Sequence, residues 1–69
     1  MTHAELTIIT EYIEKGDRIG KRMHEAALRA LRNGNHARAA HIALRMSKLY
    51  ARLDRAMSVA SYIEEMLSK

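Results

Sequence analysis

The sequence predicts an all-α protein: an antiparallel two-helix hairpin whose expected assembly is a homodimeric four-helix bundle. Three observations carry this expectation. The 69 residues include no proline and are rich in Ala, Leu, Met, Arg, Lys and Glu, which lose little on entering a helix. One strong turn signal, "RNGNHARA" from Arg32 to Ala39, interrupts the chain near its middle. On both sides of it, apolar residues recur in alternating steps of three and four, the spacing of one helix laid along another.

The elements follow in order. Thr2 with Glu5 three residues on is a capping box, which satisfies early backbone N–H groups and starts a helix. Its seam is Leu6, Ile9, Ile13, Gly16, Gly20, Met23, Ala27 and Ala30. Gly34 can adopt the left-handed conformation that ends a helix, and Asn35 can cap the next one. The second seam is Ala39, Ile42, Met46, Leu49, Leu53, Ala56, Ala60, Ile63 and Leu67. One hairpin domain over 1–69 is expected, with helices near 3–32 and 36–68 and a turn at 33–35. At about 1.5 Å per residue each helix is about 45–50 Å long.

Folding at the turn sets Leu6 against Ile63 and then pairs large residues with small ones: Ile9 with Ala60, Ile13 with Ala56, Gly16 with Leu53 and Gly20 with Leu49. The two glycines would thus make room for leucines, at a propensity cost of about 1 kcal/mol each. Gly16–Asp17 is also a fair stop–start pair, and a break there would give three helices. The uninterrupted seam favours the hairpin.

A chain this short builds a marginal core unless something else supports it. Cysteine is absent, which removes disulfides and thiolate metal sites and fits a reducing cytoplasm, the expected location. No apolar run approaches the roughly 20 residues of a membrane helix, and "MTHAELTIIT" lacks the basic start of a secretory signal, so no membrane partner is expected. A partner subunit is the remaining support. Ile8, Tyr12, Ile19 and Ala26 flank the first seam, Ala43, Tyr50 and Met57 flank the second, and Val59, Tyr62 and Met66 lie on its other side. Such apolar flanks mark an interface. They widen where residues 6–13 meet 57–67, so the contact is expected at that open end.

Charge is segregated along the chain. Residues 1–17 carry a net −3, residues 18–55 a net +8 and residues 56–69 a net −1. Arg18, Arg22, Arg29 and Arg32 share the outer face of the first helix. Arg38 precedes a second series, His41, Arg45, Lys48, Arg52 and Arg55, at steps of three and four. Stripes of this kind are the footprint of a phosphate-binding surface, although they carry no stacking aromatics and no short recognition helix. The chemistry of catalysis is not legible. No two histidines stand at i, i+4 to share an ion, and a pair between His24 and His41 across the hairpin is the only metal arrangement the fold would offer. The serines have no positioned base, and Glu64–Glu65 is an acidic helix end rather than an acid–base pair. No cofactor and no enzymatic activity are expected.

In build the hairpin resembles the plasmid copy-number RNA-binding proteins, dimers of two-helix hairpins that recognise paired RNA loops. That resemblance covers the whole chain and implies a dimer with an RNA partner. In length and composition the chain is also similar to small phage-encoded proteins that disable host regulators, above all the quorum-sensing anti-activator type. This second resemblance implies an inhibitor of a host protein, such as a transcription activator through its DNA-binding domain. No residue's role carries over with either likeness.

The leading expectation is therefore a non-enzymatic protein-binding module that modulates or inhibits a host regulator. Tyr12, Val59, Tyr62 and Met66 would anchor the partner, because tyrosine buries much area at low entropy cost. The nearby carboxylates Glu64 and Glu65 would orient a basic target. The alternative is RNA or DNA binding through Arg38, Arg45, Lys48, Arg52 and Arg55.

Overall fold

The computed structural model describes residues 2–68. Two helices account for nearly all of it: α1, His3–Arg32, and α2, His36–Leu67. They lie side by side in a rod of 53 × 15 × 12 Å. Gly16–Asp17 does not break α1, which runs unbroken for 30 residues. The helix propensity of the flanking residues and the continuous seam outweigh the local stop signal there. Among the described residues, no helix is long and apolar enough to cross a membrane.

The ends form for local reasons. Thr2 Oγ1 accepts the Glu5 N–H at 3.2 Å, which is the threonine half of the expected capping box. At the turn Gly34 has φ +74°, the left-handed conformation that costs glycine nothing. Its N–H donates to the Leu31 carbonyl at 3.0 Å, and the Asn35 N–H donates to the Ala30 carbonyl at 2.8 Å. This pair of bonds is the Schellman arrangement, and it satisfies carbonyls that the end of α1 would leave open. Arg29 and Arg32 in the last turn add positive charge where the helix dipole is negative. Asn35 then starts α2, its Oδ1 accepting the Arg38 N–H at 3.1 Å.

Packing follows the seam. Every described residue that is at least partly shielded belongs to the two heptad series, with Ala26 as the one addition. The deepest side chains are Ile63 at 2% and Leu53 at 4% exposure, and none is fully enclosed. Two helices can shield one stripe on each but cannot surround it.

Gly16 and Gly20 are both buried, for different reasons. A Cβ at Gly16 would overlap Leu53 Cδ2 and stand 3.2 Å from its Cγ. Leu53 is 4% exposed, so its side chain has little room to yield. At Gly20 the expected partner was Leu49, and here the structure differs. The side chain over Gly20 is Tyr50, whose Oη would lie 2.6 Å from an added Cβ. Leu49 turns toward the opposite flank, while the longer tyrosine reaches across the seam to fill the space.

Candidate functional site

In an antiparallel pair the two flanks of each seam come together on opposite sides of the rod. On one side α1 contributes Tyr12, Ile19 and Ala26, and α2 contributes Arg38, Arg45, Arg52 and Val59. Concavities on this side adjoin one another. Ile8, Ile9, Tyr12, Ala56 and Val59 line the first, near the open end. Tyr12, Lys15, Gly16, Ile19, Leu49 and Arg52 line the next. Towards the turn they continue past Met23, Arg45 and Lys48 to Arg22, Ala26, Arg38 and Ile42. Shared residues make them one long groove, from Val59 to Arg38 about 30 Å at the helical rise.

The groove has an apolar floor of seam residues and cationic walls. Its cations repeat every seven residues, a spacing that returns to nearly the same helix face about 10.5 Å further on. Lys15, Arg22 and Arg29 form such a row on α1. Arg38, Arg45 and Arg52 form a second on α2, and His41, Lys48 and Arg55 a third beside it. These rows gather eight of the twelve Lys and Arg residues of the chain on one side. Glu5 is the one carboxylate among the positions flanking the groove, and it stands at the far open end.

The carboxylates lie elsewhere. Glu14, Asp17 and Asp54 occupy the opposite flank, with Asp17 bridged to Lys21 at 3.2 Å. Glu64 follows Tyr50 and Met57 at seven-residue steps on that same opposite flank. Glu65 falls on the outermost line of α2. Tyr12, Val59, Tyr62 and Met66 do share the groove side, by helical position and, for Tyr12 and Val59, through a common concavity. The structure therefore puts Glu64 on the flank opposite Tyr12 and Val59, whereas Glu65, three residues after Tyr62 on the same helix, stays its neighbour on the outer line of α2. The physical reason is angular: one and two residues after Ile63, a helix has turned by about 100° and 200° away from the seam.

The opposite side, hereafter the back, is apolar near the turn. His24, Leu28, Leu31, His36, Ala40 and Ala43 line a shallow concavity there. Leu28, Leu31 and Met57 are 41%, 48% and 52% exposed. His24 belongs to this side and His41 to the groove side, so the cross-hairpin histidine pair does not form. Among the described residues, no cluster of three His, Asp or Glu could hold a metal ion. Towards the open end the α1 edge of the back turns polar, but Thr7 and Thr10 donate their hydroxyls to carbonyls of their own helix.

Of the groove residues, Ile19 and Arg22 stand in the apolar flank and the basic stripe read from the sequence, whereas Lys15 and the floor residues Met23, Ile42 and Leu49 were not singled out as a site. The seven-residue recurrence of Lys15, Arg22 and Arg29 is the signal that could have found them. No protein-family model, no curated protein and no solved structure matches this chain.

Proposed function

We propose that this protein is a non-enzymatic binding module that modulates or inhibits a regulatory protein by holding a segment of it in the groove. The observation that supports this reading is the groove itself. It combines a continuous apolar floor with an apolar open end where Tyr12 and Val59 stand 49% and 45% exposed. Side chains of this kind act as anchors when a partner removes them from water. Holding such a segment blocks whatever it otherwise engages, and a transcription activator is one target that could be silenced this way.

The experiment is affinity capture with the full chain and with the Tyr12→Glu, Val59→Glu variant, each with and without nuclease. A protein retained by the native chain, lost with the variant and indifferent to nuclease is the expected result. Retention that survives the variant but disappears with nuclease would sink the reading.

A second reading has an observation of its own. Eight cations on one side, with one distant carboxylate, suit the backbone of RNA or DNA. It accounts for the walls and leaves the apolar floor without a role, so it ranks second.

We also propose that two copies pair through their backs. A folded monomer of 7.9 kDa exposes about 4,400 Å², whereas this hairpin exposes 5366 Å². The excess is of the order of the roughly 800 Å² that each partner hides in an interface of ordinary size. Groove sides cannot meet each other, because eight cations would oppose eight cations. The contact would then centre on Leu28, Leu31, Tyr50 and Met57, reaching from the turn to the edge of the open end.

A further inference from the structure

Resting on the protein-binding reading, we infer that the occupant of the groove is an acidic amphipathic helix of about 20 residues from the partner protein. Length comes first. The groove is straight, about 30 Å long and bounded by two parallel ridges, which matches about 20 residues at the helical rise. An extended strand would present half of its side chains away from the floor and leave its backbone groups unpaired between two helices. A helix keeps its own hydrogen bonds and lays one apolar stripe along Ile19, Met23, Ile42 and Leu49.

Charge comes second. Cations stand on both walls, Lys15 and Arg22 on α1 and Arg38, Arg45 and Arg52 on α2. Each row repeats at about 10.5 Å, the distance between residues i and i+7 of a docked helix. Carboxylates flanking the apolar stripe on both edges would therefore meet a cation at every second turn. A basic helix would be repelled by the same walls. The walls also have a direction. They become Ile8, Tyr12 and Val59 at the open end, so the helix carries its acids over the turn half and uncharged apolar residues over the open half. A basic target, as the sequence alone suggested, does not fit this side.

Duplex nucleic acid would answer the walls but not the floor, and it has no apolar stripe to offer the open end. It is therefore a competing occupant for the test to eliminate. The test uses the full chain, labelled with nitrogen-15, and four probes. One is a synthetic peptide of about 20 residues with leucines at three/four spacing and glutamates on both edges. Its companions are the same peptide with lysine in place of glutamate, a scrambled acidic peptide without the stripe, and a duplex RNA of about 20 base pairs. Amide shifts locate each probe and calorimetry measures its affinity.

The expected result is that the acidic helix binds most tightly and shifts Ile19, Met23, Arg45 and Leu49, with the back unmoved. The scrambled peptide should bind at least about tenfold more weakly, and Arg45→Glu with Arg52→Glu should cost at least about 100-fold. Circular dichroism confirms that the double variant remains helical, and Arg45→Gln with Arg52→Gln serves if it does not. Preferential seating of the lysine peptide in the groove would overturn the acidic inference and leave the protein-binding reading standing. Equal affinity for the scrambled peptide would overturn the helix and leave only charge. No binding by the acidic helix would overturn the inference outright. Tighter binding of the duplex than of every peptide would overturn both readings together.

Discussion

The two sides of this hairpin are built on the same seam and have opposite chemistries. The groove side carries eight cations, a continuous concavity and apolar anchors at one end. The back carries Glu14, Asp17, Asp54 and Glu64, small residues along α2, and an apolar stretch near the turn. Stability does not require this division, because any polar residues would solvate the flanks of a seam. The contrast lies in what each flank offers a neighbour: the groove side is concave and cationic, while the back combines carboxylates with a shallow apolar concavity near the turn.

The largest expected effect breaks what both sides share. Leu53 is the best shielded side chain opposite Gly16, and Leu53→Ala removes its packing and leaves a hole between backbones. Thermal unfolding should show a loss of about 2–5 kcal/mol, and both binding and pairing should fail with it. If either survives intact at a temperature where the variant has melted, the sides do not depend on the seam.

A crossed pair of substitutions separates the sides themselves. Val59→Asp places a carboxylate in the apolar end of the groove and should weaken capture of a protein partner by about 2 kcal/mol, with sedimentation unchanged. Met57→Glu places one on the back and should shift sedimentation from about twice the chain mass towards the monomer, with capture unchanged. Exchange of these two outcomes would show that the faces have been assigned the wrong way round.

The glycines sharpen the comparison one step further, since Gly16 is overlain by a seam residue and Gly20 by a residue of the back. Gly16→Ala should lower stability by about 1–2 kcal/mol, as overpacking against Leu53 exceeds the gain in helix propensity. That corresponds to a fall in Tm of roughly 4–16 °C for a chain of this size. Gly20→Ala should leave Tm unchanged or raise it, because Tyr50 is 38% exposed and the end of its side chain can swing outward. Equal losses at the two positions would mean that Tyr50 is held as firmly as Leu53.

The smallest effect tests whether charge on the back matters at all. Lys21 and Asp17 form an exposed i, i+4 pair, their side chains 75% and 53% accessible. Lys21→Ala should cost at most about 0.3–0.5 kcal/mol and vanish in high salt. A larger, salt-resistant loss would place that pair inside an interface.

Much of this was open to reading from the chain. The heptad series identified the shielded residues because a helix repeats its faces at a local, fixed angle, and Gly34 and Asn35 marked the turn because their conformational and capping preferences are local too. Leu53 against Gly16 followed from symmetry about that turn. Leu49 against Gly20 did not hold, because a symmetric count locates backbones and says nothing of a neighbouring tyrosine long enough to reach across. Tyr12, Val59, Tyr62 and Met66 and the cations were open to reading from the chain, and they fall on one side of the rod. Their acidic neighbours divide: Glu64 falls on the opposite flank with Tyr50 and Met57, while Glu65 stays beside Tyr62 on the outer line of α2.

Helix, turn and seam were thus determined by sequence alone, since each depends on interactions within a few residues or on one repeating period. Which flank of α1 meets which flank of α2 was decided only by the tertiary structure. Spacing assigns every residue an angle around its own helix axis, but a groove exists between two axes. Lys15 and Arg22 become walls only when the antiparallel partner brings Arg38, Arg45 and Arg52 alongside and closes the floor beneath them.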